Sequence, residues 1–160
     1  MACPYFMPVE RLESGAWPHP ARLPLGCGYA GHCTAPGHEG GVPEQDVLEA
    51  SCNLGYVTGC PWAPLERVWD AVRFAVAAPP LTAPATAASA DSSNRYKNAA
   101  DLDRAHTIRI CYACERDHRP VERGDLEFDL LNAVWLRRHD DIRVQKMAEC
   151  FLDSYLKKKS

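Results

Sequence analysis

Hydrophobic positions repeat most regularly near the end of the chain. Val144, Met147, Ala148, Phe151, Leu152 and Tyr155 fall at i, i+3, i+4, i+7, i+8 and i+11, the spacing of one helical face. Asp140 and Asp141 stand just ahead of that stripe, where carboxylates cap and complement a helix dipole. The pattern predicts a core-facing helix of about four turns.

The same spacing recurs at Leu65, Val68, Trp69, Val72 and Val76, and predicts a helix from Pro64 to Ala77. Phe74 then falls on its other side, toward the C-terminal half. A short helix is expected at 44–53: Pro43 suits the first turn, Glu44 and Asp46 its positive end, and Gly55 a left-handed stop. Leu48 and Cys52, four apart, share a face of it. From Thr107 to Glu115, Ile108, Ile110 and Tyr112 alternate with Arg109, Cys111 and Ala113, which reads as a strand. Residues 118–124 read as its turn. Leu126, Phe128 and Leu130 alternate as a returning strand would, while Phe128, Leu131 and Trp135 fit a helical face, so both assignments stay open.

Two stretches lack either period. Residues 1–31 hold five prolines and four glycines and predict irregular chain, anchored by Tyr5, Phe6, Trp17, Leu23 and Leu25. Residues 78–94 are dominated by Ala, Pro, Thr and Ser and bury too little to offset their ordering entropy. The expected fold is α+β. A Cys-rich lobe (1–77) ending in an amphipathic helix is followed by a linker or loop (78–95) and a strand-and-helix lobe (96–160).

Composition narrows the setting. The chain has 160 residues, 46% apolar and 24% charged, which suits one soluble domain or two small lobes. No apolar run has the length of a membrane helix. The start, MACPYFMPVERLES, has neither the basic nor the apolar region of a secretory signal, so the cytoplasm is the expected compartment. Residues 1–80 carry a net charge of −4 and residues 81–160 a net charge of +1, with no basic footprint for nucleic acid. Lys157, Lys158 and Lys159 read as a solvated helix end.

That compartment changes how eight cysteines are read. A reducing cytoplasm disfavours stable disulfides and leaves metal binding, catalysis or burial. Cys3, Cys33, Cys52 and Cys60 stand singly along a glycine- and proline-rich segment that has few other ways to be held together. Zinc sites usually present paired C-x(2–4)-C knuckles, and this segment has none. Iron–sulfur clusters accept four thiolates at varied spacings. The expected cofactor is therefore a [4Fe–4S] cluster on these four cysteines. Zinc is the alternative metal, and small buried thiols without metal are the plain alternative.

The remaining candidates are weaker. Cys27, in Gly26-Cys27-Gly28, reads as an indifferent surface thiol, since no cation adjoins it in sequence. Gly26, Gly28 and Gly31 spell G-x-G-x-x-G, but Pro24 before and HCTAPGHEGG after exclude the strand and helix that the dinucleotide motif needs. Cys111-x-x-Cys114 with His118 looks like half a zinc knuckle, yet residues three apart on a strand point to opposite faces. Cys150 falls at the margin of the last helix's apolar face. His32 and His38 flank Cys33 as second-sphere donors or surface residues. No Ser–His–Asp set or paired carboxylates appear, so the sequence does not argue for an enzyme.

The phrases Cys3-Pro-Tyr-Phe, Arg22-Leu-Pro-Leu-Gly, Tyr29-Ala-Gly-His-Cys33, Cys52-Asn-Leu-Gly-Tyr and Gly59-Cys60-Pro resemble those of small bacterial cysteine-rich proteins that have no assigned activity. The resemblance covers most of the chain and is weakest across the linker. It implies a bacterial cytoplasmic origin and gives no residue a role.

The leading expectation is an iron–sulfur protein that transfers electrons or senses redox state with a protein partner. An interaction module, zinc-stapled or metal-free and presenting Trp17 and Trp62, is the alternative from another class. Neither nucleic acid nor a membrane is an expected partner.

Overall fold

The computed structural model describes residues 1–12, 23–77 and 106–159. It is an α+β fold of two antiparallel sheets and one long helix. Strands β1 (Phe6–Arg11) and β2 (Tyr29–Cys33) form a two-stranded sheet. A single helical turn, α1 (Gln45–Val47), widens into a π-helical turn over Leu48–Asn53, and a 3-10 turn follows at Val57–Gly59. Strands β3 (Ala71–Val76), β4 (Thr107–Arg116), β5 (Arg119–Asp129) and β6 (Val134–Arg137) then make a four-stranded sheet in chain order. Helix α2 (Ile142–Lys159) closes the described chain.

Helix α2 matches its sequence pattern. Val144, Met147, Ala148 and Leu152 are buried, and Asp141 accepts the Arg143 N–H at 2.8 Å at the helix start. Phe151 stacks on Phe74 of β3 with ring centroids 5.8 Å apart. The inner sheet face supplies Val72, Ile110 and Leu126, with Ile110 directly opposite Leu126. One continuous core joins these residues to Ala2, Phe6, Leu25, Tyr29 and Cys52. None of the described helices is long and apolar enough to cross a membrane.

The helix expected at 64–77 does not form. Residues 71–76 are strand β3, paired with β4 from Ala71↔Glu115 to Val76↔Ile110. Over that stretch Val72 and Phe74 are buried while Arg73 and Ala75 are exposed, a period of two that a helix cannot satisfy. Leu65 and Val68, the first members of the supposed stripe, are 97% and 66% exposed. The N-terminal segment therefore does not end in an amphipathic helix.

Irregular chain at 1–31 is also corrected, because β1 and β2 pair despite the prolines. Pro8 sits where the β1–β2 register shifts, between Pro8 and Glu10, and a bulge needs no ladder donor there. Gly31 is required by close approach: a Cβ at this position would lie 2.1 Å from the Met7 carbonyl oxygen. Gly55 has the same role rather than the expected left-handed stop. Positive φ among the glycines falls at Gly26, Gly37 and Gly40, whereas a Cβ on Gly55 would meet the Ala50 carbonyl oxygen at 2.5 Å.

The expected turn at 118–124 is two residues long. Asp117 and His118 both have positive φ, 49° and 61°, and join β4 to β5 with Arg116 opposite Arg119. That geometry is the hairpin turn whose twist matches its strands. The buried Asp70 carboxylate fixes it by accepting the Asp117 N–H at 2.7 Å. Of the two assignments left open for Leu126–Trp135, strands hold through β5 and β6. The expected linker at 78–95 and the anchor Trp17 lie outside the described residues.

Candidate metal centre

Each of the four expected ligands sits on a different short element. Cys3 begins a turn over Pro4 and Tyr5 that closes with the Phe6 N–H on the Cys3 carbonyl at 3.1 Å. Cys33 ends β2, opposite Phe6. Cys52 lies in the π-helical turn, and its carbonyl accepts the Cys3 N–H at 3.2 Å. Cys60 follows the 3-10 turn, its N–H bonded to the Val57 carbonyl at 2.9 Å. All eight cysteines of the chain are free thiols.

These four thiols lie within electrostatic reach of one another. Burial pushes the Cys3 thiol up to about 12, and the nearby Cys60 and Cys33 add to the rise. Burial raises Cys52 as well, with further upward contributions from Cys3, Cys60 and Cys33. Cys33 is raised by burial and by Cys60. Cys3, Cys33 and Cys52 are buried, while Cys60 is half-buried and marks the side nearest solvent.

Backbone donors oppose that cost at two of the sulfurs. The Ala35 N–H donates to Cys33 Sγ at 3.4 Å, and the Thr34 backbone also lowers that thiol. Backbone hydrogen bonds from Tyr5 and Phe6 lower Cys3. At both sites a donor comes from the residue two positions on, so the chain wraps its N–H groups around the sulfur. Such bonds favour thiolate over thiol. The Arg143 guanidinium lies 5.2 Å above the Tyr5 ring and is held by Asp141 Oδ1 and Oδ2 at 3.0 and 2.5 Å. Its charge reaches Cys3.

The other cysteines stand apart from this set. Cys27 is not at the surface as expected: it is buried, with its Sγ 3.1 Å from Ser154 Oγ of α2. The leucines that bracket its turn, Leu23 and Leu25, are both buried and carry the turn inward. Cys150 is buried on α2, and its carbonyl accepts the Tyr29 hydroxyl at 3.0 Å. Cys111 lies on the outer sheet face, in an open cavity of about 400 Å³ with Arg73, Arg123 and Asp125. His118 packs against Tyr56 at 4.3 Å and makes no knuckle with Cys111 and Cys114. His38 stacks on Trp62, two residues beyond Cys60, and His32 pairs with Met7 across β1–β2.

A second cluster has no counterpart in the sequence reading. Cys114, Glu122 and His139 place one ligand atom each within 4.8 Å of one another. Their hydrogen bonds decide what they can do. The Asp141 N–H donates to His139 Nδ1 at 2.9 Å, so the ring proton sits on Nε2, 3.2 Å from Glu122 Oε1. Both ring nitrogens are engaged, and neither is free to bind a metal or take a proton from Cys114. Burial pushes the Cys114 thiol up to about 12, with Glu122 adding to the rise. The Tyr112 hydroxyl also donates to Glu122, at 3.2 Å. This is a satisfied structural network. No regular spacing links its three members, which meet only when β4, β5 and the β6–α2 connection assemble.

No protein-family model, curated protein or solved structure matches the chain.

Proposed function

We propose that Cys3, Cys33, Cys52 and Cys60 hold a [4Fe–4S] cluster in a bacterial cytoplasmic protein that transfers electrons or senses redox state. The observation that carries this reading is the convergence of four single thiols from four separate elements, with backbone N–H groups directed at two of the sulfurs. Those donors lower the cost of holding a thiolate at Cys3 and Cys33. A bound cluster would supply one-electron chemistry at low reorganisation cost. The chain's part is to present four thiolates, donate N–H bonds to Cys3 and Cys33, and shield three of the four ligands from water.

The spread of the set favours a cluster over zinc. Four thiolates around one zinc, each at about 2.3 Å, stand only about 3.8 Å apart. Among the described residues, the group with all ligand atoms within 4.8 Å is the one around His139, and the four-cysteine set is more open. A cubane distributes its ligands over four iron corners and suits arrival from separate elements.

Anaerobic purification followed by iron, acid-labile sulfide and zinc analysis tests the reading. The expected result is a brown protein with about four iron and about four sulfide per chain. A colourless protein with one zinc would replace the cluster by a structural staple. Absence of both metals from the purified chain would overturn metal binding at these residues.

A further inference from the structure

The loops that carry Cys33 and Cys60 meet at the surface. His38 from one and Trp62 from the other stack with centroids 4.8 Å apart and planes 7° from parallel. Gly41 lies against the same indole, where a Cβ would come within 3.3 Å of the ring. Each loop leaves a large aliphatic residue in water: Val42 is 77% exposed and Leu65 97%. Cys60, the least buried of the four thiols, belongs to this side.

Charge sets the face apart from the rest of the chain. Residues 23–66 contain no lysine or arginine and five carboxylates, Glu39, Glu44, Asp46, Glu49 and Glu66. Among the described residues none of the five forms an ion pair. In residues 106–159, by contrast, lysines and arginines are interspersed, and five of the ten carboxylates, Glu115, Glu127, Asp141, Glu149 and Asp153, are paired with one. Unneutralised carboxylates around exposed aliphatic side chains steer a cationic surface toward an apolar contact.

We infer that the Val42–Trp62–Leu65 face docks a redox protein whose contact surface is apolar at its centre and ringed by lysine or arginine. The inference rests on the cluster reading, since Cys60 would bring the cluster's edge closest to this face. Transfer across it moves one electron between cluster and partner, one being oxidised as the other is reduced, with no bond made or broken.

The test uses the anaerobically purified full chain and cytochrome c, a lysine-rich haem protein, as probe. Binding is measured by titration calorimetry at low and at physiological salt, and iron is assayed on the same samples. The parent should bind at low salt and weaken as salt rises. A triple variant Glu39→Gln, Glu44→Gln, Glu66→Gln should bind about tenfold more weakly, and Leu65→Ser should weaken binding at unchanged charge. Asp153→Asn, on α2, should leave binding as in the parent. No binding at low salt, or equal losses from Asp153→Asn and the triple variant, would overturn the docking face. A chain that binds in the expected pattern but holds no iron would overturn the cluster reading and the electron transfer, and not the face.

Discussion

Asn53 pairs with Tyr29 as a neighbouring strand would. Its Oδ1 accepts the Tyr29 N–H at 2.9 Å and its Nδ2 donates to the Tyr29 carbonyl at 3.0 Å. A further bond runs from Nδ2 to the Leu48 carbonyl at 3.1 Å. The side chain thus ties the turn holding Cys52 to the strand that ends in Cys33. Asn53→Ala should destabilise the protein by about 3 kcal/mol, because it strands buried backbone groups without partners. Urea unfolding measures it, and a loss under about 1 kcal/mol would show that water replaces the amide.

Replacement of each cysteine by serine should divide the eight into two groups. Cys3→Ser, Cys33→Ser, Cys52→Ser and Cys60→Ser should lower iron per chain and expose the surrounding loops to protease, since binding and local folding are coupled. Cys27, Cys111, Cys114 and Cys150 replaced in the same way should keep the parent's iron. Iron analysis across the series decides it. An essential Cys114 with a dispensable Cys3 would move the centre to the group around His139.

The two apolar positions of α2 should differ in cost. Met147 is 0% exposed, so Met147→Ala should lose about 2–5 kcal/mol. Phe151 is only partly buried, although it stacks on Phe74, so Phe151→Ala should cost less, about 1.5–3 kcal/mol. Reversal of that order in thermal or urea unfolding would place the tight packing at the helix–β3 contact instead.

Acid should act through Asp70. Burial alone would raise its carboxyl, but the Asp117 N–H and the Arg67 guanidinium hold it below the usual carboxylate range. The unfolded chain then takes up the proton more readily than the folded one. Its contribution to stability is complete above the unfolded value of about 3.9 and is lost as pH falls through the lower folded value. Between about pH 6 and about pH 3, the urea midpoint of the parent should fall more steeply than that of Asp70→Asn. Parallel curves would mean that other carboxylates, Asp141 among them, carry the acid dependence.

Gly31→Ala tests how far β1–β2 pairing positions Cys33. The new Cβ would fall 2.1 Å from the Met7 carbonyl oxygen, and backbone cannot yield as a side chain tip would. The variant should lower both the melting temperature and iron per chain. A stable Gly31→Ala protein with full iron would show that the loop after β2 alone sets the position of Cys33.

Helix α2 was legible because its stripe runs through twelve residues, Val144 to Tyr155, and cannot be matched by a strand. Val72 and Val76 misled because they satisfy both periods over a short run, and pairing with β4 decided between them. The hairpin turn was hidden by Asp117-His118, which takes up positive φ without the glycine that usually announces it. Cys3, Cys33, Cys52 and Cys60 could be singled out by their isolation along the chain, but their approach to one another depends on long-range contacts such as Cys3 N–H to Cys52 C=O. The burial of Cys27 depends on α2, more than a hundred residues away.

The bridge between Ala2 and Val72 has a bearing on how copies of this protein behave when crowded. Both backbone groups of Val72 on the outer side of β3 are taken, by Ala2 at 2.8 and 2.9 Å, so that border of the sheet is stoppered near the start of the strand. The opposite border, β6, carries Val134 and Leu136 in water, flanked by Arg137 and Arg138. Among the described residues of this sheet, strand-to-strand aggregation therefore has β6 as its open border, and the charged side chains there, Arg137 with Glu127 and Arg138 with Glu149, are what blunt it. Arg137→Ala and Arg138→Ala, which leave Val134 and Leu136 with fewer charged neighbours, should cloud at lower protein concentration than the parent.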